Sequence, residues 1–146
     1  MKTIIAPIDF SKATAGVIDT AATLATALDG RIVLLHVVQP LIITSEYGLT
    51  MDNFQETIIS SEKFAARRLA ELSDALRARG VKNVETAQIS GTARAGIVEQ
   101  ARILKADFIV MGTHGHTAFY DLVIGSTTQH VVNKAHCPVV IVPRVR

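Results

Sequence analysis

Residues 3–38 read TIIAPIDFSKATAGVIDTAATLATALDGRIVLLHVV, and the fold class follows from them. Residues 3–8 form a short, β-branched run without a charge, the pattern of a strand buried on both faces. Residues 11–28 are rich in Ala, Leu and Thr, with Val17, Ala21, Leu24 and Leu28 at helical spacing. Asp29-Gly30 stops that helix, and Gly30 is the expected left-handed cap. Residues 31–38 make a second apolar strand, closed by Gln39-Pro40. Strand, helix and strand in one short stretch are a βαβ unit, so the two strands run parallel with a right-handed crossover.

Working outward, residues 40–53 have no clear period and contain Gly48, so they read as a loop. A long helix is expected over residues 53–79, with Phe64, Leu69, Leu72 and Leu76 inward and Gly80 as its stop. Residues 84–89 (VETAQI) alternate apolar with polar, as a strand nearer a sheet edge does. A third helix is expected over 93–105, facing inward with Ile97, Ala101 and Leu104. A fourth strand spans 107–112, a short helix 126–134, and a last strand 139–142 lies between Pro138 and Pro143. Strands alternating with helices in this way predict an α/β protein, with an open five-stranded parallel sheet, doubly wound and Rossmann-like.

Composition narrows the function. The 146 residues suit one domain spanning 1–146, and 49% apolar against 19% charged residues supply a core. Fifteen Lys and Arg stand against 13 Asp and Glu, and no basic run exceeds Arg67-Arg68. That balance argues against a nucleic-acid partner. A single cysteine, Cys137, excludes a disulfide framework and points to a reducing, cytoplasmic setting. No apolar run approaches the roughly 18 residues of a membrane span, so no membrane insertion is expected.

In doubly wound sheets, ligands bind beyond the carboxyl ends of the strands where the strand order reverses. Two strand ends stand out: Pro7-Ile8-Asp9-Phe10-Ser11 after the first strand, and Met111-Gly112-Thr113-His114-Gly115-His116 after the fourth. The second continues to Gly125-Ser126-Thr127, giving the spacing Gly-x2-Gly-x9-Gly-Ser. Gly112 and Gly115 let backbone N–H groups approach a ligand, and Gly125 opens a helix whose free N–H groups attract an anion. Ser126 has two uses, as cap of that helix with Gln129 completing a capping box, or as a hydroxyl facing phosphate oxygens or a metal ion. Asp9 also has two, as cap of the following helix or as a hydrogen-bond partner of a nucleotide's base or ribose. His114 and His116 are expected near the phosphates rather than as metal ligands, and Cys137 as a small core residue.

Other chemistries lack their motifs. There is no GxxxxGK[ST], no GxGxxG after the first strand, and no GxSxG elbow. No catalytic constellation is visible.

On these residues the chain resembles the universal stress protein family, specifically its ATP-binding branch. The resemblance rests on Gly112-x2-Gly115-x9-Gly125-Ser126, supported by residues 5–11, 34–37, 106–112 and 137–143. It implies a strand order 3-2-1-4-5 and a homodimer made by the last strands. It also implies that Pro7, Ile8 and Asp9 line the adenine and ribose end, that Val37 packs on the base, and that Met111 and Gly112 border the ribose. Gly115, His116, Gly125, Ser126 and Thr127 would hold the phosphates of ATP, ADP or AMP, often with Mg²⁺ or Mn²⁺. The implied role is a nucleotide-dependent regulatory or sensory module with a protein partner; the alternative is a slow ATPase or autophosphorylating enzyme. One departure is Ala93, where relatives often carry proline; it bears on loop rigidity.

Overall fold

Strand β1 (Thr3–Pro7) lies at the centre of a five-stranded parallel sheet of order β3-β2-β1-β4-β5. Its neighbours are β2 (Arg31–Val38), with Ile5 opposite Val33, and β4 (Phe108–Gly112), with Ile5 opposite Ile109. The edges are β3 (Asn83–Ser90) and β5 (Val139–Val142). The helices are α1 (Thr14–Leu28), α2 (Met51–Ala78), α3 (Ala93–Ile103) and α4 (Ser126–Lys134). These elements come from a computed structural model that describes residues 1–39, 51–114 and 124–143. Gly115, His116 and residues 40–50 of the loop expected at 40–53 lie outside the described residues, while residues 51–53 belong to α2.

Side-chain alternation along the central strands builds two cores. Ile4, Ala6, Ile32, Leu34 and Val110 pack on one face with Val17, Ile18 and Ala21 of α1 and Leu69 and Leu76 of α2. Ile5, Val33, Leu35, Ile109 and Met111 pack on the other with Ile97 and Ala101 of α3 and Val131 of α4. Both faces are covered, which is why β1, β2 and β4 read as continuous apolar runs. Edge strand β3 is less covered: Val84 is buried in the first core, Ala87 and Ile89 pack partly against the second, and Glu85 is exposed. At the opposite end of the sheet from the strand carboxyl ends, Asp107 Oδ2 accepts the Thr3 N–H at 2.8 Å. That bond, with the Lys2 charge beside it, holds the Asp107 carboxyl below its usual range.

Three local expectations change. Asp29, not Gly30, takes the left-handed conformation after α1, with φ 50°. Gly30 is needed for close approach instead: a Cβ there would lie 2.8 Å from the Lys2 carbonyl oxygen. Phe64 does not face inward and is 52% exposed. Ala65 takes the inner position, at the correct spacing to Leu69, Leu72 and Leu76, while Phe64 lies one residue, about 100°, around the helix. Helix α1 starts at Thr14 rather than near Ser11 because the preceding residues form a turn. There the Ser11 N–H donates to Asp9 Oδ1 (2.9 Å) and the Ala13 N–H to Ser11 Oγ (3.2 Å).

Candidate functional site

A cleft of about 520 Å³ opens at the carboxyl ends of β1, β2 and β4, where the strand order reverses. Pro7, Ile8 and Asp9 form one wall and Val37 another. Met111 and Gly112 form the floor end, and Gly125, Ser126 and Thr127 close the far side. All nine residues expected at a site within the described parts of the chain therefore line one cavity.

Asp9 sits at a turn in which Phe10 adopts φ 61°, a left-handed conformation uncommon for an aromatic residue. Phe10 is held there from both sides. Its ring lies 4.8 Å from the His36 ring and makes an edge contact with Phe64 at 6.0 Å. His36 Nδ1 lies 2.7 Å from the Ile8 carbonyl oxygen, tying β2 to the segment that carries Asp9. Asp9 does not cap α1, whose N-cap is Ala13 without a side-chain bond; its carboxylate accepts the Ser11 N–H in the preceding turn, and the residue also lines the cleft.

The α4 end departs from the capping-box expectation. Its cap is Gly125, with φ −58° and ψ 156°, and Ser126 is the first helical residue. No side chain caps the helix, so the Ser126 hydroxyl is not spent on its backbone. Thr128, which the sequence reading did not single out, docks the helix: its buried Oγ1 donates to the Gly112 carbonyl at 2.8 Å. Gly125 packs tightly, and a Cβ there would stand 3.3 Å from the Thr113 carbonyl oxygen. Gly112 is as constrained, 3.0 Å from the Ala13 Cβ.

Two further helices start at this cleft. Thr14 of α1 and Ala93 of α3 line it, and neither helix has a side-chain cap bond. Ala93 therefore shapes the cleft wall as well as its loop. Three helix N-termini converge, and among the described lining residues there is no Lys or Arg. Val37, Ala93 and Ile97 give the cleft apolar lining. Among the described residues no group of three His, Cys, Asp or Glu is placed to hold a metal ion. Cys137 packs against the α3/α4 core, and burial, with the Asp107 charge, pushes its thiol pKa up. Thr14, His36, Ala93 and Thr128 carried no spacing signal; only their positions at strand ends and first helical turns could have marked them.

The universal stress protein family model matches residues 1–143. Universal stress protein A homolog 1 of Coxiella burnetii is 32% identical over 143 residues, 97% of this chain and 95% of that protein. A universal stress protein of Methanocaldococcus jannaschii is 31% identical over 144 residues, 98% of this chain and 82% of that one. Among solved structures, UspA from Lactobacillus plantarum superposes with TM-score 0.85 at 22% identity, covering 97% of both chains. An Archaeoglobus fulgidus universal stress protein in complex with dAMP gives TM-score 0.69 at 20% identity, over 97% of this chain and 98% of that one. An Arabidopsis thaliana family protein with AMP bound gives 0.72 at 18%, over 99% of this chain and 93% of that one. Sheet order and a match across nearly the whole sequence agree: the chain belongs to the universal stress protein family.

Proposed function

We propose that the chain is one nucleotide-binding domain, residues 1–146, that acts in the cytoplasm as an ATP-dependent regulatory or sensory module of a stress response. The observation that carries this reading is that three helix N-termini without side-chain caps open onto one cleft that is also lined by apolar Val37, Ile97 and Met111. Backbone N–H groups and helix dipoles favour anionic oxygens, and the apolar lining suits a flat base. AMP and dAMP in family members of the same fold support an adenine nucleotide.

In this reading Pro7, Ile8, Asp9 and Val37 receive adenine and ribose, and Met111 and Gly112 border the ribose. Gly125, Ser126 and Thr127, joined by Gly115 and His116, hold the phosphates. A Mg²⁺ or Mn²⁺ ion would accompany the phosphates and neutralise part of their charge, and the Ser126 and Thr127 hydroxyls would help to hold it. Occupancy is read by a protein partner.

Two measurements test the reading. Calorimetry is expected to show tighter binding of ATP than of GTP, because apolar Val37 and Met111 leave base discrimination to backbone groups; equal affinities would sink it. Incubation with ATP and Mg²⁺ is expected to leave the ATP intact over an hour. Steady ADP release, or a phosphorylated chain, would make the protein an enzyme of the same fold instead.

Asp9→Ala is expected to weaken ATP binding by one to two decades, the loss of a charged hydrogen bond of about 1.5–3 kcal/mol. It also removes the acceptor of the Ser11 N–H, so a modest fall in melting temperature accompanies it. A lower melting temperature with unchanged affinity would leave Asp9 as a turn residue alone.

A homodimer through β5 is part of the proposal. The strand Val-Val-Ile-Val is a sheet edge, only partly buried along its length, and a free edge of this kind invites pairing. Pairing with its twofold copy covers it. Light scattering at micromolar concentration should give the mass of a dimer, and a monomer would refute the pairing.

A further inference from the structure

Two side chains that line the cleft each carry a polar atom that is buried and without a hydrogen-bond partner among the described residues: Thr14 Oγ1 and His114 Nε2. Thr14 is only 8% exposed and is the first residue of α1. A buried hydroxyl left unpaired destabilises the fold, so a chain that keeps one in a cavity wall keeps it for something that enters the cavity. Both residues flank Gly112. Ala13, beside Thr14, approaches its backbone, with 3.0 Å between the Ala13 Cβ and a Cβ built on Gly112, and the His114 carbonyl oxygen lies 3.5 Å from the same point.

The His114 ring is oriented from its other side. Its Nδ1 lies 3.1 Å from Thr113 Oγ1. The contact fits either tautomer; in the one with the Thr113 hydroxyl donating to Nδ1, the proton is on Nε2, which is then a donor, and the role proposed below belongs to that tautomer. That edge of the ring faces the start of α4, its Cδ2 lying 3.7 Å from a Cβ built on Gly125.

We propose that Thr14 and His114 are ligand-binding residues, a donor pair that receives oxygens of a phosphoryl group beside Gly112 and the start of α4. The proposal rests on the nucleotide reading above and adds to it two side chains contributed by α1 and by the segment after β4. A phosphoryl group fits better than a single hydroxyl. Its several acceptor oxygens can engage donors on three separate elements at once, whereas one hydroxyl cannot.

The test is calorimetry with AMP and with adenosine, joined to melting of the unliganded protein, on the unmodified chain and on Thr14→Val, Thr14→Ser, His114→Leu and His114→Gln. Thr14→Val keeps shape and removes the hydroxyl. AMP affinity is expected to fall about tenfold, adenosine affinity to stay within about twofold, and the unliganded melting temperature to hold or rise. Thr14→Ser keeps the hydroxyl and retains most of the AMP affinity. His114→Leu loses AMP affinity, and His114→Gln, which restores a donor, recovers part of it.

Unchanged AMP affinity in both Thr14→Val and His114→Leu overturns the proposal. So does an equal loss of AMP and adenosine, which places the contact on the nucleoside. A fall in the unliganded melting temperature of Thr14→Val without a selective loss of AMP makes Thr14 a structural residue and overturns its role. If the unmodified protein binds neither ligand, the nucleotide reading itself has failed, a result distinct from failure of the pair.

Discussion

Gly125→Val is expected to lower ATP affinity at least about tenfold, equivalent to roughly 1.4 kcal/mol, while adenosine loses much less. The cause is crowding rather than a forbidden backbone angle, since φ at Gly125 is −58° and open to any residue. A Cβ would stand 3.3 Å from the Thr113 carbonyl oxygen and 3.6 Å from His114 Cα, both backbone atoms that cannot rotate away. The Gly125 N–H donates to that same carbonyl at 2.8 Å, so pushing the two apart breaks the bond that sets the start of α4. Valine's two methyl groups add to that crowding. The sheet should survive, because Thr128 still ties α4 to Gly112 and the substitution lies outside both cores. A folded variant by circular dichroism with normal ATP affinity would move the phosphates elsewhere. Equal loss of adenosine and ATP would signal collapse of the whole cleft.

Leu34→Ala should give the largest effect on stability. Leu34 is fully buried in β2, packed with the α1 and α2 core. Deleting its branched end removes apolar burial and leaves a cavity that a sheet paired on both sides cannot close. The expected cost is about 2–5 kcal/mol, a large part of the stability of a domain this size. Chemical denaturation should show an earlier midpoint with an unchanged slope. A loss under about 1 kcal/mol would mean that the core relaxes around the gap.

The strands were legible because burial on both faces writes itself as uninterrupted β-branched runs, as in residues 3–7 and 31–38. Helix α4 and strand β5 were equally clear, fenced by Gly125 at one end and by Pro138 and Pro143 at the other. Errors arose where two residues competed for one role. Asp29 and Gly30 both suit a helix end, and the nearness of the Lys2 carbonyl, a tertiary fact, reserves the small residue for close packing. Phe64 and Ala65 compete for one inward position on α2, and hydrophobicity favours the aromatic while the helical phase favours alanine. The glycine spacing located the α4 side of the cleft because close approach needs the absence of a side chain. His114 was expected near the phosphates from its place between Gly112 and Gly115, but Thr14, and what sets the two apart, could not be found that way. Their distinction is an unpaired polar atom, which exists only once the elements have packed.

The central claim is that an adenine nucleotide occupies the cleft at the carboxyl ends of β1, β2 and β4. Backbone amide NMR spectra recorded during an AMP titration test it most directly, since they report both binding and its place. The account predicts saturable shifts concentrated at Asp9, Val37, Gly112 and the first turn of α4 from Gly125 to Thr127, with the far end of the sheet near Lys2 and Asp107 unmoved. Spectra that do not change at saturating AMP, or shifts centred away from this cleft, would contradict it.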